Sequence, residues 1–152
     1  MNFDCTTRPV QRILADAEEY CQRAALRLTE GRRHILAVVA GSERAVKAYD
    51  LLNAVTDPGK KVMPPTVYRA LDFWITHGFI HRIESLNAFI ACDHPLRSHG
   101  CQMLICTDCG RVIEVCQAEL RDHFRETAAA NGFLYDHSVL EIYGRCPDCQ
   151  SM

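Results

Sequence analysis

Between Pro9 and Leu26 the apolar positions Val10, Ile13, Leu14, Ala17, Tyr20, Cys21 and Ala24 recur at three- and four-residue steps without a glycine, which predicts a helix with one buried stripe. Thr29 opens a second helix. Its hydroxyl can cap the first free N–H groups, Glu30 stands at the positive end of the dipole, and Ile35, Leu36, Val38 and Val39 form the buried side before Gly41. A third helix is expected through Ala45, Val46, Ala48, Tyr49, Leu51, Leu52 and Val55, stopped by Asp57-Pro58-Gly59. Pro64 and Pro65 fix the start of a fourth, because proline fits a helix only in its first turn, and Gly78 marks its end. Val67, Ala70, Leu71, Trp74 and Ile75 share the buried face of that helix. Thr66, Tyr68 and Arg69 fall in its opening turns, away from most of the stripe.

Phe79 to Glu84 and Ala88 to Cys92 are β-rich runs joined by Ser85-Leu86-Asn87, a hairpin pattern. Three helices, a proline-started helix and a hairpin predict a winged helix. In such a module the fourth helix enters a major groove, where hydroxyls and a guanidinium meet phosphates and base edges, and Arg27, Arg32, Arg33, Lys60 and Lys61 contact the backbone. Taken singly, Tyr68 also fits half-buried packing and Arg69 a solvated charge.

Asp93 to Gly100 has Pro95, Ser98 and Gly100 and no apolar period, so it reads as a hinge. The expected division is therefore a DNA-binding domain over 1–92, a hinge over 93–100 and a small α/β domain over 101–152. In the last, Gln102 to Ile105 and Arg111 to Val115 are short strands, Glu119 to Asn131 a helix with Leu120, Phe124 and Ala128 inside, and Ser138 to Tyr143 a final strand. Such a unit leaves a sheet face with Val139, Ile142 and Tyr143 that one copy barely covers, so pairing of two protomers is expected.

Cys106/Cys109 and Cys146/Cys149 are two Cys-x-x-Cys pairs separated by 36 residues, each associated with turn residues. Two such turns bring four thiolates to one tetrahedral Zn²⁺ at about 2.3 Å and leave no position open, which predicts a structural clamp. A redox motif would ask for one Cys-x-x-Cys opening a helix, not two pairs. Nine cysteines, an odd number, and the absence of a charged-then-apolar run in the first ten residues lead to the expectation of reduced thiols and a cytoplasmic location. Net charge is +2 over residues 1–92 and −4 over 93–152, which argues against non-specific polyanion binding and is compatible with a few placed phosphate contacts.

His81, Cys92, His99 and Glu114 remain around the hinge. A nitrogen, sulfur and oxygen set suits Zn²⁺, and a thiolate disfavours Mg²⁺, Ca²⁺ and Mn²⁺. His94 and Cys101 are substitute ligands, and a lone Cys or His has an ordinary structural reading as well. Cys5, Cys21 and Cys116 receive no role.

From about Ile13 to Cys149 the chain resembles the ferric-uptake-regulator (Fur) superfamily, and most its zinc-uptake-regulator (Zur) branch. The resemblance rests on Arg27-Leu28-Thr29 with Arg32, Ala48-Tyr49-Asp50-Leu51-Leu52, Pro65-Thr66-Val67-Tyr68-Arg69-Ala70-Leu71, Gly78-Phe79-Ile80-His81, Ile105-Cys106-Thr107-Asp108-Cys109-Gly110 and Cys146-Pro147-Asp148-Cys149. It implies an α+β protein, with a winged helix followed by an α/β dimerisation domain carrying a four-cysteine zinc site. The implied function is a homodimeric, zinc-dependent repressor of zinc-uptake genes on inverted-repeat operator DNA, with one or two dimers per operator. Two Zn²⁺ per protomer follow, one structural and one regulatory. The resemblance carries the regulatory ligands onto His81, Cys92, His99 and Glu114, and operator contact onto Tyr49 and Arg69. Gly100 and Gln102 replace the His-rich run of iron-type members, so His137 reads as structural. The alternatives are an iron or peroxide sensor on the same fold, which Cys92 argues against, and a zinc-containing thiol oxidoreductase, for which no nucleophile and base pair is recognisable.

Overall fold

The computed structural model describes residues 8–56, 59, 62–95 and 100–151. The chain divides into two compact units, whose described residues run from Arg8 to Pro95 and from Gly100 to Ser151. No helix among the described residues is long and apolar enough to cross a membrane.

The first unit holds α1 (Val10–Arg23), α2 (Glu30–Ala40), β1 (Val46–Lys47), α3 (Ala48–Val55), α4 (Pro64–Thr76), β2 (Ile80–Ile83) and β3 (Ala88–Ala91). Thr29 caps α2 by accepting a hydrogen bond from Arg32 N–H at 3.2 Å, so the Thr-Glu-Gly-Arg sequence starts that helix without a proline. Val46, expected in a helix, lies instead in β1, which pairs antiparallel with β3 (Val46↔Phe89, Lys47↔Ala88). The sheet order is β1-β3-β2, and the helix starts only at Ala48. Pairing with Phe89 and Ala88, remote in sequence, outweighs the local helical period here.

Trp74 is the centre of this unit. It is fully buried, its indole N–H donates to Arg32 C=O at 2.8 Å, and its ring meets Phe73 and Phe79 edge-on at 4.9 and 5.2 Å. The Arg32 guanidinium lies 3.8 Å over the Phe73 ring, and Arg33 pairs with Glu18 at 2.8 Å. Both arginines, expected to contact a DNA backbone, are thus engaged in packing and pairing on their own unit. Lys60 and Lys61 lie outside the described residues. Gly78, at φ +78°, turns α4 into β2, and a Cβ there would come within 3.3 Å of Pro95 C=O.

The second unit is a three-stranded sheet in the order β5-β4-β6, built from β4 (Cys101–Cys106), β5 (Val112–Cys116) and β6 (Leu140–Gly144). β5 runs antiparallel to β4, and the crossover through α5 (Ala118–Ala130) returns β6 parallel to it. A last turn of helix, α6 (Pro147–Gln150), follows. The expectation that Leu120, Phe124 and Ala128 lie inside is corrected: α5 has no buried residue, and these three are half-buried. Phe133 (73%), Leu134 (98%), Val139 (61%), Ile142 and Tyr143 are likewise exposed. That much open apolar surface on one small unit marks an interaction face.

Candidate metal centre and DNA-contacting helix

Cys106 ends β4 and Cys109 follows a tight turn closed by Gly110 N–H to Cys106 C=O at 3.0 Å, with Gly110 at φ +73°. Cys146 is the N-cap of α6 and Cys149 lies within it, so the second pair rests on one helical turn begun by Pro147. Thr107 N–H donates to Gly144 C=O at 2.8 Å and joins the two turns. Two arginines cross between them: Arg145 reaches Asp108 at 2.6 Å and Arg111 reaches Asp148 at 2.7 Å. The four sulfurs all lie within 4.8 Å of one another, Cys109 and Cys146 Sγ at 3.7 Å.

The sulfurs are electrically uneven. Backbone N–H groups of Cys109 and then Cys146 lower the Cys106 thiol to about 6, and the second of these bonds measures 3.3 Å. Cys149 is pushed up to about 12, first by its hydrogen bond to Cys146 and then by burial. One sulfur is therefore a ready thiolate, while the crowding of four makes a further negative charge costly without a cation. A closed, all-sulfur cluster with N–H···S support fits a tetrahedral divalent metal, which would draw the remaining thiols to thiolates.

On the first unit, His81 lies on β2 and Cys92 just past β3, where Cys92 N–H donates to Phe79 C=O at 2.9 Å. The ligand atoms of His81 and Cys92 lie within 4.8 Å. Cys92 is fully buried, and its sulfur accepts from His94 N–H at 3.3 Å. His94 itself is exposed. On the second unit, Glu114 is one of two buried polar residues among those described, the other being Gln102. His99 lies outside the described residues. His137, expected to be structural, is exposed and pairs with its neighbour Asp136 at 2.6 Å, so it lies outside the buried core of the described residues.

Cys101 proves unsuited to the role of substitute ligand as it stands: it forms a disulfide with Cys116. The expectation of reduced thiols throughout is corrected at this pair. The signal was present in the sequence, since extending each of the two expected strands by one residue places Cys101 opposite Cys116.

The fourth helix presents its predicted contacts outward. Tyr68 is half exposed (50%) and Thr66 and Arg69 are exposed, while Val67, Ala70, Leu71 and Trp74 are buried behind them. Tyr49, on α3, is 72% exposed. An aromatic ring left that open on a packed helical unit is available to a partner.

A family model described as the ferric uptake regulator family matches residues 23–143. The chain belongs to the ferric uptake regulator family. Within it, the chain is 39% identical over 142 residues to the zinc uptake regulation protein of Escherichia coli (strain K12), covering 91% of this chain and 82% of that one. It is 30% identical over 140 residues to the ferric uptake regulation protein of the same organism, covering 90% and 94%. Among solved structures, a zinc uptake regulator complexed with zinc and DNA matches at a TM-score of 0.90 with 37% identity, over 95% of this chain and 97% of that one. Holo XcZur matches at 0.85, also with 37% identity, over 93% and 99%. As a family member this chain thus lies nearer the zinc regulator than the iron regulator of Escherichia coli.

Proposed function

We infer that the protein is a zinc-responsive transcriptional repressor that binds operator DNA as a homodimer. The observation that carries the reading is the donor pair on the wing: His81 and Cys92 bring a nitrogen and a buried sulfur within 4.8 Å, directly after the helix that exposes Thr66, Tyr68 and Arg69. The proposed metal ligands and DNA contacts thereby fall on consecutive elements of one unit. The similarity to zinc regulators, one of them complexed with zinc and DNA, supports the same assignment.

Two zinc positions follow for each protomer. Cys106, Cys109, Cys146 and Cys149 would hold the structural ion. His81, Cys92, His99 and Glu114 would hold the regulatory one, and their mixed donors suit Zn²⁺ while the thiolate disfavours harder cations. His81 and Cys92 from the first unit and His99 and Glu114 from beyond it would hold that ion, which would supply a common anchor for side chains on either side of the hinge. Ligands on the wing and ligands beyond residue 96 then restrict the angles open to the DNA-contacting unit. In a homodimer that restriction sets whether both fourth helices meet major grooves one turn apart, about 34–36 Å, on an inverted repeat. Moving such an equilibrium from mostly open to mostly closed requires about 5.5 kcal/mol of preference for the closed state. That is small against the roughly 10–16 kcal/mol apparent for structural zinc, so the regulatory ion can leave while the clamp stays filled.

Arg69 and Tyr49 are the proposed base-contacting residues, with Thr66 and Tyr68 beside Arg69 on the same helix. Arg69→Ala should weaken operator binding by about 1–3 kcal/mol, roughly five- to 150-fold, without altering zinc content; fluorescence anisotropy on an inverted-repeat duplex measures it. Equal affinity for the variant would remove Arg69 from the interface. The dimer face is assigned to the open apolar surface of the second unit. Leu134→Glu replaces its most exposed apolar side chain by a charge and should raise the dimer dissociation constant by about tenfold or more, given about 1.5–3 kcal/mol for burying a leucine. Sedimentation equilibrium reads the result, and an unchanged dimer would place the interface elsewhere.

A further inference from the structure

Cys101 and Cys116 belong to neither the four-sulfur cluster nor the wing pair. They are the end partners of the β4/β5 ladder, facing one another with Cα atoms 4.1 Å apart, and are joined as a disulfide. Glu114 lies two residues back along β5 and so points to the same face as Cys116. Its Oε1 stands 3.7 Å from Cys116 Sγ, and the donor atoms of Cys101, Glu114 and Cys116 all lie within 4.8 Å of one another. Met103 is paired with Glu114 across the ladder, adding a buried thioether sulfur to that face. Cys116 is exposed, which gives small thiols and disulfides access to the bond.

This arrangement has two chemical states. With the S–S bond made, the sulfurs carry no charge and offer a cation little. With the bond open, two thiolates and a carboxylate form an S₂O donor set of the kind that holds thiophilic divalent ions, leaving a fourth position for water. We propose that Cys101, Cys116 and Glu114 form a redox-gated metal site, able to bind a thiophilic divalent cation as the dithiol and closed to it as the disulfide. Closure is thiol–disulfide exchange with a low-molecular-weight disulfide such as glutathione disulfide. Two S–H bonds break and one S–S bond forms, and the two electrons and two protons reduce the small disulfide to two free thiols. From the metal-bound form, in which both sulfurs are already thiolates, the same exchange releases the cation, and the two small thiolates take up their protons from water. The site lies wholly within the second unit and needs neither His81 nor Cys92. It does share Glu114 with the proposed regulatory set, so thiol redox state and zinc sensing would draw on one carboxylate.

The test uses the full chain carrying Cys92→Ser, with its four-cysteine cluster filled by zinc, under reducing conditions and with Co²⁺ as the probe. Removing Cys92 means that a thiolate-to-cobalt charge-transfer band cannot come from the wing. The expected result is a band saturating near one equivalent of cobalt. It should disappear on treatment with glutathione disulfide, as tryptic peptides 98–111 and 112–121 become cross-linked, and return with reductant. Adding Cys116→Ser should abolish it. In the unmutated chain, Zn²⁺ beyond that held by the four-cysteine cluster should protect Cys101 and Cys116 from alkylation, which keeps the test independent of how the variants fold. No band in the reduced protein, a band that survives Cys116→Ser or complete oxidation, or alkylation rates indifferent to zinc would each overturn the proposal.

Discussion

Cys106→Ser is expected to unfold the second unit and with it abolish dimerisation and operator binding. The buried cluster that holds this unit's carboxy-terminal end consists of Cys106, Cys146 and Cys149 with Cys109 packed against them; the thiols are themselves that core. Among the described residues of this unit, Met103 and Ile105 are the buried apolar side chains besides the cysteines and α5 contributes none, so little apolar interior stands in reserve if the cluster fails. Losing one of four sulfurs removes a ligand from a site whose ion contributes about 10–16 kcal/mol apparent binding free energy in comparable small modules, as large as the roughly 5–15 kcal/mol net stability of a typical domain. Cys106 is also the sulfur that backbone N–H groups of Cys109 and Cys146 favour as thiolate. Circular dichroism, zinc content and sedimentation of the variant measure this. A folded, dimeric Cys106→Ser protein would show that the sheet and its partner suffice.

Acid should act in the same direction. The depressed Cys106 thiol favours the folded, metal-ready state above its ordinary value near 9, and that advantage is lost as pH falls through about 6. Metal retention should therefore fail progressively below that pH.

Cys92→Ser and His81→Ala are expected to leave both units folded and the ion of the four-cysteine cluster in place, yet to remove the dependence of operator binding on free zinc. Cys92 is fully buried and serine is close to isosteric, so the cost in stability is limited, while a soft ligand becomes a hard and weak one. Operator affinity at saturating zinc should fall to that of protein without the regulatory ion, by about five- to 150-fold if coupling is of the usual 1–3 kcal/mol. The two variants should behave alike. Titration curves superimposable on the unmutated protein would dissolve the link between the wing and zinc sensing.

Most of the helical framework was legible because its signals are local. Thr29 caps, the Pro64-Pro65 start and the φ-positive Gly78 act within a few residues, and the buried stripe of α4 follows from spacing alone. What escaped was decided by pairing between distant segments. Val46 belongs to a strand because Phe89 lies beside it, a contact the helical period around it conceals. α5 has the stripe of an inward-facing helix, but in one chain Leu120, Phe124 and Ala128 are only half covered; periodicity reports that a face is apolar and not which molecule covers it. The Cys101–Cys116 bond required register across β4 and β5, which one residue more of each strand would have revealed. The two knuckles were readable as a ligand set from Cys-x-x-Cys spacing, whereas the Arg145–Asp108 and Arg111–Asp148 pairs that bind them together were not, because their members stand 37 residues apart. Nor did the sequence disclose the partners that Arg32 and Arg33 find on their own unit, the Phe73 ring and Glu18.

Whether zinc occupancy at His81, Cys92, His99 and Glu114 switches operator binding can be settled by one titration. Dimeric protein with its four-cysteine cluster filled is bound to an AT-rich inverted-repeat duplex while free Zn²⁺, Fe²⁺ or Mn²⁺ is varied in metal-buffered solution. Affinity should rise steeply with Zn²⁺ alone, and Cys92→Ser should abolish the rise. Binding that is equally tight at vanishing free zinc, or that responds to Fe²⁺ in preference to Zn²⁺, would refute the switch.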